Sequence, residues 1–332
     1  MAVLAVDPHQ PQAAPIERAA AVIREGGLVA FPTETVYGLG AAALEPRAVA
    51  RIYAAKGRPS YNPLIVHVLD ASWARELVED WPPLAATLAD AFWPGPLTVI
   101  LPKRAEVPDL VTAGLDTVAL RAPAHPVARA LLAAAGRPIA APSANRFQGV
   151  SPTTAAHVRR SLGEDAALIL DAGPTPVGIE STVLDLSGER PTLLRPGGLP
   201  IPTLEALTGP LTRGTVIADG LPRASPGMVE RHYAPDAHVH ILGREDLVER
   251  LAAPGHGGLV GALVMHADTS AISGVHALSM PDDPLAYGRM LYAALHTLEE
   301  LGCATILIES VPDPAHDARW AGVADRLARA AR

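Results

Sequence analysis

In the stretch AAKGRPSYNPLIVHV, residues 54–68, Lys56, Arg58, Asn62 and His67 fall within twelve positions, and His67 interrupts an apolar run that otherwise reads as a buried strand. Two cations, an amide and an imidazole beside such a strand suit an oxygen-rich ligand. Further polar residues recur where the sequence pattern ends its strands, the place where open α/β sheets bind ligands. LVAF leads into Thr33, Glu34 and Thr35, and PIAAP into Ser143, Asn145, Arg146 and then Ser151. GIEST carries Ser181 and Thr182, TLLRPGG carries Arg195 with two glycines behind it, and DTVALRAP and LTVILPK add Thr117, Arg121 and Lys103. The set holds hydroxyls, amides and cations, with no evident carboxylate pair and no Ser-His-Asp arrangement. It suits an anionic ligand such as a nucleotide, because phosphoryl-type transfer needs chiefly positioning and charge neutralisation.

Each of these residues also has an ordinary structural role. Ser151 before Pro152 reads as a helix N-cap with proline at the first helical position. Glu34 reads as the partner of a neighbouring arginine, Arg121 as a strand-end charge, and His67 as a satisfied core histidine. Convergence of many such residues at loop positions of one domain is what favours a site. The common nucleotide and hydrolase signatures do not occur: there is no GxxxxGK[ST], HExxH or GxSxG, and YGLGAA supplies only two glycines of a dinucleotide fingerprint.

At 332 residues the chain exceeds the size at which one hydrophobic core usually keeps growing, so about two domains are expected. Apolar residues make up 49% and charged residues 19%, and no apolar run approaches the roughly 18 residues that span a bilayer. The beginning, MAVLAVDPHQPQ, shows no legible secretory signal, so a cytoplasmic location is expected. One cysteine, Cys303, permits no internal disulfide and no Cys-rich zinc site, and its setting between a helix and a strand makes it a core residue. The net charge of −8 argues against a general nucleic-acid binder. Only Lys56 and Lys103 among 27 basic residues are lysines, which marks each as a compact ammonium among planar guanidinium forks.

The elements that must position these groups read as an α/β alternation from residue 15 to about 209. IERAAAVIREGG and PRAVARIYAAKG are helices closed by glycine, with further helices over 72–80, 84–92, 126–135 and 153–162. LVAF, LIVHVL, LTVILP, TVALRAP, PIAAPS, ALILDAG, STVLDLS and TLLRPGG are strands of one mixed sheet. Residues 210–237 are rich in Gly and Pro and read as a linker. Residues 238–332 alternate strands and helices, which predicts a smaller three-layer α/β domain with a mostly parallel sheet.

On FPTETVYGLG, KGRP followed by NPLIVHV, FWPGPLTVIL, VALRAP, APSAN leading to SPT, GIESTVLDL, LLRPG and SPGMVERHYAP, the chain resembles the L-threonylcarbamoyladenylate synthase family in its long two-domain form. The resemblance implies a YrdC-like twisted mixed sheet with flanking helices over 1–209, a linker serving as an active-site lid over 210–237, and a Rossmann-like C-terminal domain over 238–332. It implies that L-threonine, bicarbonate and ATP, with Mg²⁺, give threonylcarbamoyl-AMP and pyrophosphate. The product would pass to the tRNA threonylcarbamoyl transferase machinery, which forms threonylcarbamoyladenosine in tRNA. Carried over position by position, Thr35, His67, Arg121, Ala141 and Ser181 are the implied threonine contacts. Arg58, Asn62, Thr117, Ser143, Ser151, Arg195 and Tyr233 are the implied ATP contacts, with Lys56 joining Arg58 and Arg195 at the phosphates. The Mg²⁺ ligands are not legible.

Two other readings compete. The same domain type would serve as an RNA- or tRNA-binding module, which the acidic net charge and 4% aromatic content disfavour. It would also serve a carbamoyl-adenylate enzyme of hydrogenase maturation, whose zinc-finger modules need cysteines this chain lacks.

Overall fold

A computed structural model describes residues 2–214, 233–253, 258–266 and 274–331. The first sheet is built from β1 (Ala2–Ala5), β2 (Val29–Pro32), β3 (Tyr37–Ala42), β4 (Ile65–His67), β5 (Leu97–Pro102), β6 (Thr117–Arg121), β7 (Ile139–Ala140), β8 (Leu168–Asp171), β9 (Thr182–Asp185), β10 (Thr192–Arg195) and β11 (Thr212–Arg213). Its spatial order is β1-β8-β2-β3-β7-β4-β6-β5-β9-β10-β11. Parallel pairs such as β4 with β6 and β5 with β9 alternate with antiparallel ones such as β2 with β3 and β5 with β6, so the sheet is mixed. Around it run helices α1 (Ala13–Arg24), α2 (Pro46–Lys56), α3 (Ala71–Arg75), α4 (Pro83–Phe92), α5 (Asp109–Thr112), α6 (Pro126–Ala135), α7 (Ala155–Leu162) and α8 (Ile201–Thr208).

Local chemistry accounts for the helix that precedes the KGRP stretch. Pro46 opens α2 at its first turn, and Val49, Ile52 and Tyr53 recur at helical spacing on its buried face. Gly57 ends it in the left-handed region at φ 63°, where a side chain would be strained, and so turns Arg58 back toward the sheet.

The second sheet comprises β12 (His238–Leu242), β13 (Val260–Val264), β14 (Val275–Ser279) and β15 (Thr305–Glu309), with α9 (Arg244–Ala252), α10 (Pro284–Glu300) and α11 (Ala321–Ala330) beside it. All of its pairings are parallel, in the order β12-β15-β13-β14. Strand period decides its layering. Leu263, Ile306 and Ile308 pack with Leu291, Leu295, Val323 and Leu327 of α10 and α11, whereas Val260, Ala262, Val264 and Leu307 pack with Leu247 and Leu251 of α9. This is the three-layer arrangement read from the sequence. The α10–α11 side of this core also takes in Val36, Val150, Ile179 and Tyr233, so the two sheets share a buried boundary.

The structure corrects several sequence expectations. Residues 72–80 form the short α3 followed by turns, because Val78 leaves the helix to bridge Lys103 at a strand edge. Helix α7 begins at Ala155 with Thr154 as its cap, so Ser151 caps nothing. YGLGAA is a fully buried strand, β3, and β1 adds a strand ahead of residue 15. Most of the expected lid, residues 215–232, lies outside the described residues.

Candidate active site

The site forms where strands of opposite direction end together. In the parallel pair β4 and β6, His67 stands beside Arg121, and β7 places Ile139 on the other flank of His67. Ala141 N–H donates to the Ile65 carbonyl, which fixes the chain leading to Ser143. From the far side, β9 and β5 bring Ser181 Oγ within 2.7 Å of Thr98 Oγ1. The turn between β2 and β3 is knotted by Thr33, whose hydroxyl meets that of Thr35 at 2.8 Å and donates to the Val36 carbonyl at 2.7 Å.

The resulting cavity is lined by Thr35, His67, Arg121, Ala141 and Ser181, all five implied threonine contacts. Arg58, Ser143, Arg195 and Tyr233 complete its polar wall, with Glu180 among them. Arg58, Arg121 and Arg195 are each buried. Arg58 is pinned by Nε donation to the Asn62 carbonyl at 3.1 Å and Nη2 donation to that of Pro63 at 2.9 Å. Burial lowers its guanidinium to about 10. Arg121 Nη2 lies 2.7 Å from Glu34 Oε1, out of line for a hydrogen bond, and its Nε reaches the Gly95 carbonyl at 3.3 Å. The partner anticipated for Glu34 is therefore remote in sequence. Arg195 donates to the Ser181 carbonyl and, at 3.1 Å, to the Ser181 hydroxyl. Gly197 makes this clasp possible: a Cβ there would come within 2.4 Å of the Glu180 carbonyl oxygen.

His67 is buried with Nδ1 unpartnered, and burial followed by the nearby Arg121 charge lowers it to about 3, so it faces the cavity as neutral imidazole. Tyr233 is buried with a left-handed backbone, φ 61°, which a non-glycine residue adopts at a cost. Arg195 Nη1 donates to its hydroxyl at 3.4 Å, and Ala234 N–H holds the next residue to the Gln148 carbonyl.

Four of the implied threonine, ATP and phosphate contacts stand elsewhere. Lys56 is buried behind the wall, where its ammonium donates to the carbonyls of Ser143, at 2.6 Å, and Asn145. Desolvation, then the charges of Arg58 and Arg146, push it well below the usual lysine range. It holds the Ser143 loop and does not line the cavity. Asn62 is fully buried beside Arg58, with neither side-chain amide atom hydrogen-bonded to another group of the protein. Ser151 donates to Glu180 Oε1 at 2.6 Å. Thr117 starts β6, four positions from Arg121, and so stands about 13 Å along the strand from the cavity end. A larger cleft of about 560 Å³, lined by Arg146, His157, His296 and Glu299 among others, contains none of the implied threonine or ATP contacts.

Residues 21–197 match the family described as Telomere recombination, and residues 202–332 match the Threonylcarbamoyl-AMP synthase, C-terminal domain. A threonylcarbamoyl-AMP synthase of Bacillus subtilis is 45% identical over 90% of this chain and 88% of its own length. One of Pyrococcus abyssi is 43% identical over 90% and 89%. The solved structure of P. abyssi Sua5 complexed with L-threonine superposes with a TM-score of 0.92 at 41% identity, covering all of this chain and 98% of that one. The chain belongs to the threonylcarbamoyl-AMP synthase family, in its two-domain Sua5 form.

Proposed function

We propose that this cavity joins L-threonine, bicarbonate and ATP into threonylcarbamoyl-AMP and pyrophosphate. The observation that carries the reading is the meeting of Arg121 and His67 with Arg58 and Arg195 around one enclosed space, from segments distant in sequence. Arg121 offers a planar fork for the amino-acid carboxylate. Thr35, neutral His67 and Ser181 orient the hydroxyl and amine, and Ala141 supplies an apolar wall. Such a pocket rejects an analogue lacking the hydroxyl, because its polar groups would be left unpaired.

Arg58 and Arg195 neutralise the triphosphate, Ser143 supplies a hydrogen bond, Asn62 acts by holding Arg58 through its backbone carbonyl, and Lys56 acts by holding the Ser143 loop. Thr117 takes no part in this scheme, and Ser151 acts through Glu180. The threonine amine adds to the bicarbonate carbon with loss of water. An oxygen of the resulting carbamate attacks the α-phosphorus and expels pyrophosphate, so no protein nucleophile is needed. No group of three His, Cys, Asp or Glu that would hold a metal occurs among the described residues. Mg²⁺ would therefore be held chiefly by triphosphate oxygens and water, supplying charge to the departing pyrophosphate.

The free space is about 50 Å³, well below the roughly 300–1,000 Å³ of a small-molecule site, and Tyr233 forms one wall. Tyr233 in this scheme covers the substrates and moves to admit them, which would shield carbamate and mixed anhydride from water. The proposed setting is the cytoplasm, with the adenylate passed to the machinery that modifies tRNA.

The test follows pyrophosphate after addition of ATP, bicarbonate and one amino acid at a time. L-threonine should support turnover well above L-valine and L-alanine, and only with bicarbonate. Equal release with all three, or release without bicarbonate, would refute the assignment. A gel shift with tRNA across a salt series should show no binding tight enough to support the RNA-binding alternative.

A further inference from the structure

The wall of the cavity contains a carboxylate, which is an awkward neighbour for a triphosphate. Glu180 is buried, and its compensation comes largely from the other half of the chain. Its Oε2 accepts from Tyr292 Oη on α10 at 2.9 Å and from Arg326 Nε on α11 at 2.8 Å, while Oε1 accepts from Ser151. The Arg326 side chain has no exposed surface. Its Nη1 donates to the Pro196 carbonyl, directly after Arg195, at 2.6 Å, and to Asp325 at 2.9 Å. Its guanidinium carbon lies 5.2 Å from the centre of the Tyr233 ring. Close approach of α11 is built in, since a Cβ on Gly322 would come within 2.7 Å of the Gly197 carbonyl oxygen.

We propose that Arg326 is a positioning residue for the nucleotide, supplied by the second sheet's domain: it neutralises Glu180, so that a triphosphate meets Arg58 and Arg195 without an opposing anion. This rests on the reading of the cavity as an ATP site. Opposite charges in a water-poor setting are strongly coupled, and removing one partner leaves the other buried and unpaired. The domain thereby contributes to substrate affinity without touching the substrate.

The charges facing Glu180 come from Arg326 on α11, flanked by Asp325, and Arg195 on β10, with the phenols of Tyr292 and Tyr233 also at hand. Burial alone would raise the Glu180 carboxyl, but Arg326, Arg195 and the Ser151 hydrogen bond together hold it below the usual range. With Arg326 removed, burial prevails and the carboxyl takes up its proton at higher pH. Lowering the pH should then discharge Glu180 and restore ATP binding in the variant alone.

The experiment measures KM for ATP and kcat by pyrophosphate release, with melting temperature, for the full chain carrying Arg326→Met, Arg326→Lys or Glu180→Gln/Arg326→Met. Arg326→Met should raise the ATP KM by about tenfold or more, the scale of an unpaired buried charge, with a smaller change in kcat. Its ATP KM should fall as pH is lowered, unlike that of the wild type. Arg326→Lys should recover part of the affinity, and the double variant should return to within about threefold of wild type. A double variant as impaired as Arg326→Met, with a wild-type pH profile, would overturn the proposal. Should Arg326→Met fail to fold, the double variant decides: a wild-type-like ATP KM supports the proposal, and a rise of about tenfold with unchanged melting temperature contradicts it. Arg195→Met separates this inference from the reading beneath it. If that variant binds ATP normally, the ATP site itself is misassigned.

Discussion

Arg121→Lys isolates the role of one guanidinium. The charge beside Glu34 is retained, so the buried carboxylate keeps a cation near the 2.7 Å contact it now makes, and the fold should survive. What is lost is the planar fork, and with it at least one charge-assisted hydrogen bond to the threonine carboxylate. Such a bond contributes about 1.5–3 kcal/mol. At about 1.4 kcal/mol per tenfold, KM for L-threonine should rise by roughly 10- to 100-fold. Arg58 and Arg195 are untouched, so KM for ATP should stay within about threefold. The assay is pyrophosphate release with each substrate varied in turn, alongside a melting curve. A threonine KM equal to wild type, or equal rises for threonine and ATP, would refute the assignment of Arg121 to the amino-acid carboxylate.

Three further outcomes follow from particular contacts. Lys56→Met removes both donors to the Ser143 and Asn145 carbonyls, and should cost about 2–3 kcal/mol of stability while raising the ATP KM through a displaced Ser143 loop; a denaturant titration and ATP kinetics check this. His157 and His296 stack at 3.9 Å between α7 and α10, and burial, with nearby cationic groups, lowers them to about 4 and about 3 from a usual 6.5. Their contribution to stability is therefore complete above 6.5 and lost as the pH falls toward those values, so the melting temperature should drop over that interval and less so in His296→Phe. Gly197→Ala would drive a methyl against the Glu180 and Ser181 backbone, and should raise KM for both substrates with a stability loss of about 1–3 kcal/mol, read from kinetics and melting together.

Much of the site was legible because it lies at strand ends and helix stops that local sequence encodes. Gly57 after α2 forecast the turn that aims Arg58, and the apolar run around His67 forecast the strand that carries it. Thr33 to Thr35, Ser143, Ser181 and Arg195 likewise stand where the alternation of elements placed them. What local pattern cannot supply is a partner chosen across the fold. Glu180 and Arg326 are 146 positions apart, and nothing near either residue announces the other. The rarity of lysine points to Lys56 as a phosphate contact, but its ammonium turns to two backbone carbonyls, a choice fixed by tertiary packing. Thr154, directly before α7, takes the cap position, while the Ser151 hydroxyl donates to the Glu180 carboxylate. The short edge strands β1 and β11 carry too few residues for periodicity to reveal them.

The most direct test is a crystal structure of the full chain with L-threonine and a non-hydrolysable ATP analogue. The threonine carboxylate should lie on Arg121, with its hydroxyl and amine within reach of Thr35, His67 and Ser181, and the triphosphate should run between Arg58 and Arg195. Either ligand seated in the separate cleft lined by Arg146, His157 and His296 would contradict the account.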